Sequence, residues 1–392
     1  MNKEVRLIMK KIMFMTNSLD GGGAEKILQT VLLNLNESKY DVTVYSMHRE
    51  NIAILNYPKF IHYKVVFDTY SGDNLLKKNL NNLCLKLKGK IFKYFPSNVF
   101  YRLIVHEKYD VEIAFIEGES TKIVSGSSNR KSKKYAWVHI DLEENPWTSF
   151  LYQSENDECE HYKKFNKILC VSESVKKAFL TKFNSIDNEK VQVQYNPINR
   201  DKIISMAKKE CPGVNIKEKQ LRMVAVGRLV KQKGFDRLIK ICSRLDKEGY
   251  NFELFILGEG EERIKLEKMI KEMHFNNTVK MLGFINNPYS IMATADVLVC
   301  SSRSEGFSTV LSEGVVLGLP IISTECAGVS ELFGEKECGQ IVNNDSESLY
   351  YALKQVLDHP EKLSLYRKES FERGKHFDLS KTMSDIEKLL DD

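Results

Sequence analysis

The chain has 392 residues, of which 42% are hydrophobic and 28% charged, with a formal net charge of +5. That length exceeds one ordinary core and suits two domains of roughly 180 to 200 residues each, and the composition excludes a disordered or fibrous chain. The small positive charge does not argue for nucleic acid, and no zinc-finger, helix-turn-helix or aromatic RNA-binding pattern accompanies it.

The eight cysteines, at 84, 159, 170, 211, 242, 300, 326 and 338, are scattered and contain no C-x-x-C pair. Neither a zinc site nor a disulfide framework is indicated, and reduced thiols in the cytoplasm are expected. The apolar run at 12–15 is too short for a signal peptide or a membrane span, and no later run is longer in that sense. The expected location is the cytoplasm, with room for a peripheral position on the inner face of a membrane.

In chain order, residues 11–16 read as a buried strand, 17–23 as a loop, and 24–35 as a helix with apolar residues at 27, 28, 31, 32 and 35. Gly21, Gly22 and Gly23 let the backbone approach a ligand at the helix N-terminus, although a plain glycine turn is the alternative. The spacing is not G-x-G-x-x-G, and no acidic residue stands where a nicotinamide ribose would need one, which weakens a dehydrogenase reading. Residues 41–46 and 63–67 are further strands. From 74 to 106 the chain carries Lys77, Lys78, Lys86, Lys88, Lys90, Lys93 and Arg102 with no Asp or Glu, while Leu76, Leu80, Leu83, Leu87, Ile91 and Tyr94 recur at helical spacing. Such a stripe either packs on its own domain or forms a surface that docks on anionic lipid headgroups. Both hold if the stripe turns inward and the lysines outward.

Residues 111–116 and 134–138 are strands with polar ends, Glu117 to Thr121 after the first and His139, Ile140 and Asp141 after the second. A histidine there can donate a hydrogen bond or exchange a proton near neutral pH, or it can be structural. Residues 167–171 form the next strand, Ser172 to Ser174 cap a helix through Phe183, and 191–195 is a strand again. Asn196-Pro-Ile-Asn199 breaks the pattern, and the mostly polar and basic stretch 203–219 marks a domain boundary.

Strands then recur at 221–227, 252–257, 279–282, 296–301, 320–323 and 340–342 with helical patterns between them, which implies a parallel sheet covered on both faces. Arg228 and Lys233 leave the first of these strands on a loop closed by Gly234, and together form a plausible diphosphate clamp. After 296–301 the chain reads Arg303-Ser-Glu-Gly-Phe-Ser-Thr-Val-Leu-Ser-Glu313. Gly306 allows a tight turn, the Ser308/Thr309 pair can cap the following helix, and a helix N-terminus at the carboxyl end of a strand favours a phosphate. Glu305 and Glu313 would flank a phosphorylated ligand that carries hydroxyls; a loop glutamate plus a solvated helix glutamate is the plainer alternative.

The series Gly227-Arg-Leu-Val-Lys-Gln-Lys-Gly-Phe-Asp236, Leu257-Gly-Glu-Gly260, Leu282-Gly-Phe284, Ser304 to Glu313 and Gly318-Leu-Pro320 resembles glycosyltransferase family 4 of the GT-B fold. Gly21 to Glu25 and Trp137 to Asp141 are similar to the matching places in that family's first domain. The resemblance covers nearly the whole chain and is most specific in its second half.

It implies an α/β architecture of two Rossmann-like domains with parallel sheets across an interdomain cleft: an acceptor domain at 1–198, a nucleotide-sugar domain at 199–376, and a C-terminal helix at 377–392 crossing back to the first. Carried over by position, Arg228 and Lys233 would bind the donor diphosphate and Glu313 the ribose hydroxyls. Glu305 would meet the transferred sugar, Gly306 and the amides of Phe307, Ser308 and Thr309 would support the distal phosphate, and the base would lie near Leu282 to Ile285, including Phe284. Gly22 and Gly23 would close over the diphosphate, His139 would contact the sugar near the reacting carbon, and Glu25, Glu117 and Asp141 would serve the acceptor. The implied activity is retaining transfer from a UDP- or GDP-sugar to a glycan or lipid-linked glycan acceptor, with neither cofactor nor metal and with Glu305, His139, Arg228 and Lys233 as the catalytic set. The chain has no Asp-x-Asp motif, so positive side chains and a helix dipole would take the place of a divalent cation. A non-catalytic GT-B partner or sugar-nucleotide sensor is the alternative.

Overall fold

A computed structural model describes residues 9–19, 22–48, 57–67, 90–210, 220–275 and 278–392. The chain divides into two compact units, one of residues up to Tyr195 together with Thr382–Asp392, the other Asn196–Lys381.

In the first unit β1 (Lys10–Thr16), β2 (Tyr40–His48), β3 (Ile61–Phe67), β4 (Val111–Ala114), β5 (Lys133–Val138), β6 (Lys167–Cys170) and β7 (Val191–Val193) form one parallel sheet in the order β3-β2-β1-β4-β5-β6-β7. In the second, β8 (Leu221–Val226), β9 (Phe252–Leu257), β10 (Val279–Gly283), β11 (Val297–Cys300), β12 (Ile321–Thr324) and β13 (Gly339–Val342) form a parallel sheet in the order β10-β9-β8-β11-β12-β13. Central parallel strands are buried on both faces and therefore read as continuous apolar runs. Ile12, Met13, Phe14 and Met15 of β1 have no exposed surface, and every residue of β9 is buried. Helix Phe235–Lys247 covers the second sheet with Leu238, Ile239, Cys242 and Leu245 in a core shared with Met223, Ala225, Leu254 and Ile256.

The strand order reverses between β1 and β4 in one sheet and between β8 and β11 in the other. At such a point neighbouring crossovers leave on opposite faces and the carboxyl ends of the strands open a crevice. Each predicted strand is present. The stretch read as a polar boundary begins differently: residues Arg200–Ala207 are helical, with Asn199 Oδ1 accepting from Lys202 N at 3.0 Å and Ile203 as the buried residue. The division between units accordingly falls at Tyr195/Asn196.

Helix Leu379–Asp391 packs on the first unit through its later turns. Tyr40 Oη donates to Asp391 Oδ1 at 2.8 Å, Asn36 N donates to Glu387 Oε1 at 3.0 Å, and Lys167 pairs with Asp392. Of the basic stripe, residues 74–89 lie outside the described residues. At its described end Ile91 and Tyr94 are 51% and 66% exposed, whereas Phe92 and Phe100 are buried and stacked at 4.6 Å. Among the described residues no helix is long and apolar enough to cross a membrane.

Candidate active site

In the second unit the loop after β8 runs through a 3-10 turn at Lys231–Lys233 to Gly234, whose φ of 66° starts helix Phe235–Lys247. Glycine is required there twice over, by the left-handed backbone and because a Cβ would collide with the carbonyl oxygen of Ser301. The turn therefore seats Lys233 against the loop that follows β11. Lys233 Nζ lies 2.6 Å from Glu305 Oε1, and Ser302 Oγ donates to the same oxygen at 2.6 Å. Glu305 is only 7% exposed. Burial opposes the charge on Lys233, but the Glu305 carboxylate outweighs it and raises the lysine above its ordinary pKa, against repulsion from Arg228. Arg228 itself is exposed, and among the described residues its guanidinium has no hydrogen-bond or ion-pair partner.

Helix Thr309–Val316 begins at Ser308 in extended backbone, as the pattern predicts, but the serine side chain makes no capping bond. Its carbonyl instead accepts from Ser312 N at 3.1 Å and Ser312 Oγ at 3.0 Å. The expected Ser308 side-chain cap is thus absent, and among the described residues no side chain accepts from the amides of Thr309, Val310 and Leu311, a state in which a helix N-terminus suits an anion. Gly306 passes under Gly328, whose φ is 76° and where a Cβ would strike the Gly306 carbonyl oxygen. Phe307 is buried, and its carbonyl accepts from Asn196 Nδ2 at 3.5 Å. Thr309 is half-buried. One turn on, Glu313 is buried and accepts from Tyr289 Oη at 2.8 Å; burial, then the Glu313 charge, pushes that phenol far up. Phe284, at the carboxyl end of β10, is 64% exposed.

One group that the sequence reading passed over is Arg237. Its guanidinium is 7% exposed and donates from Nε to Ser301 O at 2.8 Å, from Nη2 to Ser302 O at 2.6 Å, to Thr324 Oγ1 at 3.2 Å and to Asn344 Oδ1 at 2.7 Å, and from Nη1 to Asn344 O at 3.4 Å. The available signal was a charged residue inside the apolar run Phe235-Asp-Arg-Leu-Ile239. Arg303, beside it, pairs with both oxygens of Asp236 at 2.9 Å.

In the first unit Glu117 follows β4. It is 2% exposed and accepts from the backbone N–H groups of His139 and Ile140, the latter at 3.0 Å. Burial pushes its pKa up to about 7 although those amides pull the other way. His139 Nε2 lies 2.9 Å from Phe115 O. A carbonyl only accepts, so the ring proton is assigned to Nε2 and Nδ1 keeps its lone pair. The ring also stacks against Trp137 at 6.0 Å, and burial lowers its pKa to about 4. His139 is therefore neutral near pH 7 and offers an acceptor, not a proton.

The three carboxylates expected at the acceptor are engaged locally. Glu117 is buried behind the backbone that it holds, and Asp141 Oδ1 accepts from Glu143 N and Glu144 N at 2.9 and 3.0 Å, closing its own turn. Glu25 is buried in the first turn of helix Gly23–Asn34, so close to the N-cap residue Gly22 that a Cβ there would collide with its carboxylate. Gly21 lies outside the described residues.

Residues 207–373 match the family model described as glycosyl transferases group 1. Across 97% of its length the chain is 29% identical to the N-acetylgalactosamine-N,N'-diacetylbacillosaminyl-diphospho-undecaprenol 4-alpha-N-acetylgalactosaminyltransferase of Campylobacter jejuni, of which it covers 100%. It is 24% identical to the amylovoran biosynthesis glycosyltransferase AmsD of Erwinia amylovora, over 88% of this chain and 89% of that one. Among solved structures, HepE of Anabaena in complex with UDP and glucose superposes with a TM-score of 0.72 at 18% identity, over 97% of this chain and 99% of that one, a likeness of fold. By the match of residues 207–373 to the group 1 family, its glycosyltransferase relatives and its two parallel sheets, the chain is a glycosyltransferase with the GT-B fold.

Proposed function

We propose that this glycosyltransferase moves a sugar from a nucleoside diphosphate donor to a hydroxyl of a lipid-linked glycan, with retention of anomeric configuration and without a metal ion. The observation that carries the donor reading is the pairing of a half-buried Lys233 with buried Glu305 at the β8/β11 switch point, beside a helix N-terminus that its N-cap serine side chain does not cap. Arg228, the Lys233 ammonium and the amides of Phe307, Ser308 and Thr309 leading into the helix hold the diphosphate, Glu313 meets the ribose, and Phe284 gives the base an apolar surface. Glu305 takes the hydroxyls of the transferred sugar. In the first unit the Nδ1 lone pair of His139 accepts from a substrate hydroxyl. The bond from the anomeric carbon to the β-phosphate oxygen breaks as the acceptor oxygen bonds to the same face, and the acceptor proton passes to the leaving phosphate. Charge develops on the diphosphate, so preorganised cations and amides are the chief catalytic groups, each worth roughly 3 to 4 kcal/mol when lost.

Support for the acceptor comes from the Campylobacter relative, whose name specifies a diphospho-undecaprenol-linked substrate. Ile91, Tyr94, Phe95 and Leu103 are exposed beside Lys90 and Arg102, a mixture that suits an anionic lipid surface. A thermal-shift screen of UDP-, GDP-, ADP- and CMP-sugars tests the donor site: a ligand at 100 times its dissociation constant adds about 2.7 kcal/mol, and no shift with any of them sinks the reading. Transfer that persists in EDTA and a product with the donor's anomeric configuration are expected. Equal flotation with neutral and anionic liposomes removes the membrane part.

A further inference from the structure

Arg237 is a buried cation that makes no ion pair with a carboxylate among the described residues; Asp236 acts on it only from a distance. Burial, then the neighbouring Arg303, lowers its pKa from the usual arginine value. Its hydrogen bonds go to the carboxyl ends of three adjacent strands: Ser301 and Ser302 after β11, Thr324 at the end of β12, and Asn344 after β13. A planar fork of donors can span such a set, whereas an ammonium cannot. The Ser302 carbonyl is held a second time by Thr324 Oγ1 at 2.6 Å, and Asn344 Nδ2 donates to Arg303 O at 2.8 Å. The backbone of Ser302 is therefore fixed from two sides, and its hydroxyl is the group that donates to Glu305.

We infer that Arg237 is a positioning residue for sugar recognition: it fixes Ser302, and through the Ser302 hydroxyl it sets the orientation of the Glu305 carboxylate against Lys233. The inference rests on the reading of Glu305 as the group that meets the transferred sugar. It assigns to Arg237 an effect on the sugar half of the donor and not on the diphosphate half, since Arg228 and the amides of helix Thr309–Val316 are not among the groups it holds and Lys233, though paired with Glu305, keeps its ammonium in every variant.

The test compares the affinities of UDP and UDP-N-acetylgalactosamine by calorimetry in the full chain carrying Glu305→Gln, Ser302→Ala, Arg237→Lys and the double change Arg237→Lys with Glu305→Gln. A hydrogen bond to a charged group predicts a loss of about tenfold for the sugar nucleotide in each single variant, with UDP held within about threefold. The double variant should bind no worse than Glu305→Gln alone, because both changes remove one interaction. Hydrogen exchange at 301–308 should rise in Arg237→Lys. Equal weakening of UDP and the sugar nucleotide in Arg237→Lys, or a double variant as poor as the product of its parts, overturns the inference and leaves the donor reading standing. If Arg237→Lys does not fold, unchanged sugar-nucleotide affinity in Ser302→Ala overturns it instead. Normal affinity in Glu305→Gln overturns the reading of Glu305 as the sugar contact and the inference with it, and a wild-type chain that binds neither these probes nor GDP-, ADP- or CMP-sugars overturns the donor reading as well.

Discussion

The two units carry the same five-residue pattern, Glu-Gly-x-Ser-Thr, at the same topological place: 117–121 after β4 and 305–309 after β11. Both glutamates are buried, yet their surroundings differ. Glu117 accepts from two backbone amides and has no cation partner among the described residues, whereas Glu305 is paired with Lys233 and bonded to Ser302. The difference comes from the loop after the neighbouring strand. After β8 that loop supplies a lysine on a 3-10 turn; beside β4 the partner of the glutamate is the turn after β5. A local pattern thus places a carboxylate at a crevice, and the chain across from it decides whether the carboxylate braces a loop or stands ready for a ligand.

The sharpest way to break this comparison is to neutralise each glutamate. Glu305→Gln removes a charged ligand group and leaves the Lys233 ammonium without its counter-charge, so turnover should fall by roughly 10³-fold, about 4 kcal/mol. Glu117→Gln keeps an amide oxygen for both backbone N–H groups, and its turnover should stay within about threefold. Equal kinetic defects in the two would erase the distinction.

Stability against pH separates them next. The folded pKa of Glu117 is raised to about 7 from an ordinary value of 4.5, so the folded state binds that proton more tightly than the unfolded state. Its stabilising contribution is complete below about pH 4.5 and is lost as pH rises through 7. Glutamine cannot ionise, and by pH 8 the Glu117→Gln protein should be more stable than the wild type by on the order of 3 kcal/mol, with little difference near pH 5. His139 works in the opposite sense, since its pKa is lowered to about 4 and its share is lost as pH falls through that value. Urea midpoints for wild type and variant that keep one fixed spacing from pH 5 to pH 8 would remove Glu117 as the titrating group.

The smallest expected effect is at Glu313. Tyr289 can still donate to the oxygen of Glu313→Gln, so the variant should fold normally and lose about tenfold in donor affinity with turnover nearly unchanged. A turnover loss as large as that of Glu305→Gln would show that the two are not separate contacts.

Most of the fold was legible because central parallel strands are written as uninterrupted apolar runs, Phe252 to Leu257 being the plainest. The helix Arg200–Ala207 was hidden because only Ile203 on it is buried, which leaves no stripe to read. At the site, the convergence of Lys233 with the Glu305 loop was visible in the motif series, but their direct pairing depends on the turn at Gly234. The roles of Glu117 and Arg237 were illegible for one reason: their partners are largely main-chain amides and carbonyls, groups that every residue has.

The dependence of the first unit on Thr382–Asp392 also bears on synthesis. Tyr40 finds Asp391, and Asn36 finds Glu387, only after all of Asn196–Lys381 has been translated. At ordinary elongation rates that is a wait of roughly 10 to 40 s, during which the nascent first unit carries an uncovered surface beside β2. Ribosome-bound chains are therefore most exposed to proteases and holdase chaperones in this interval.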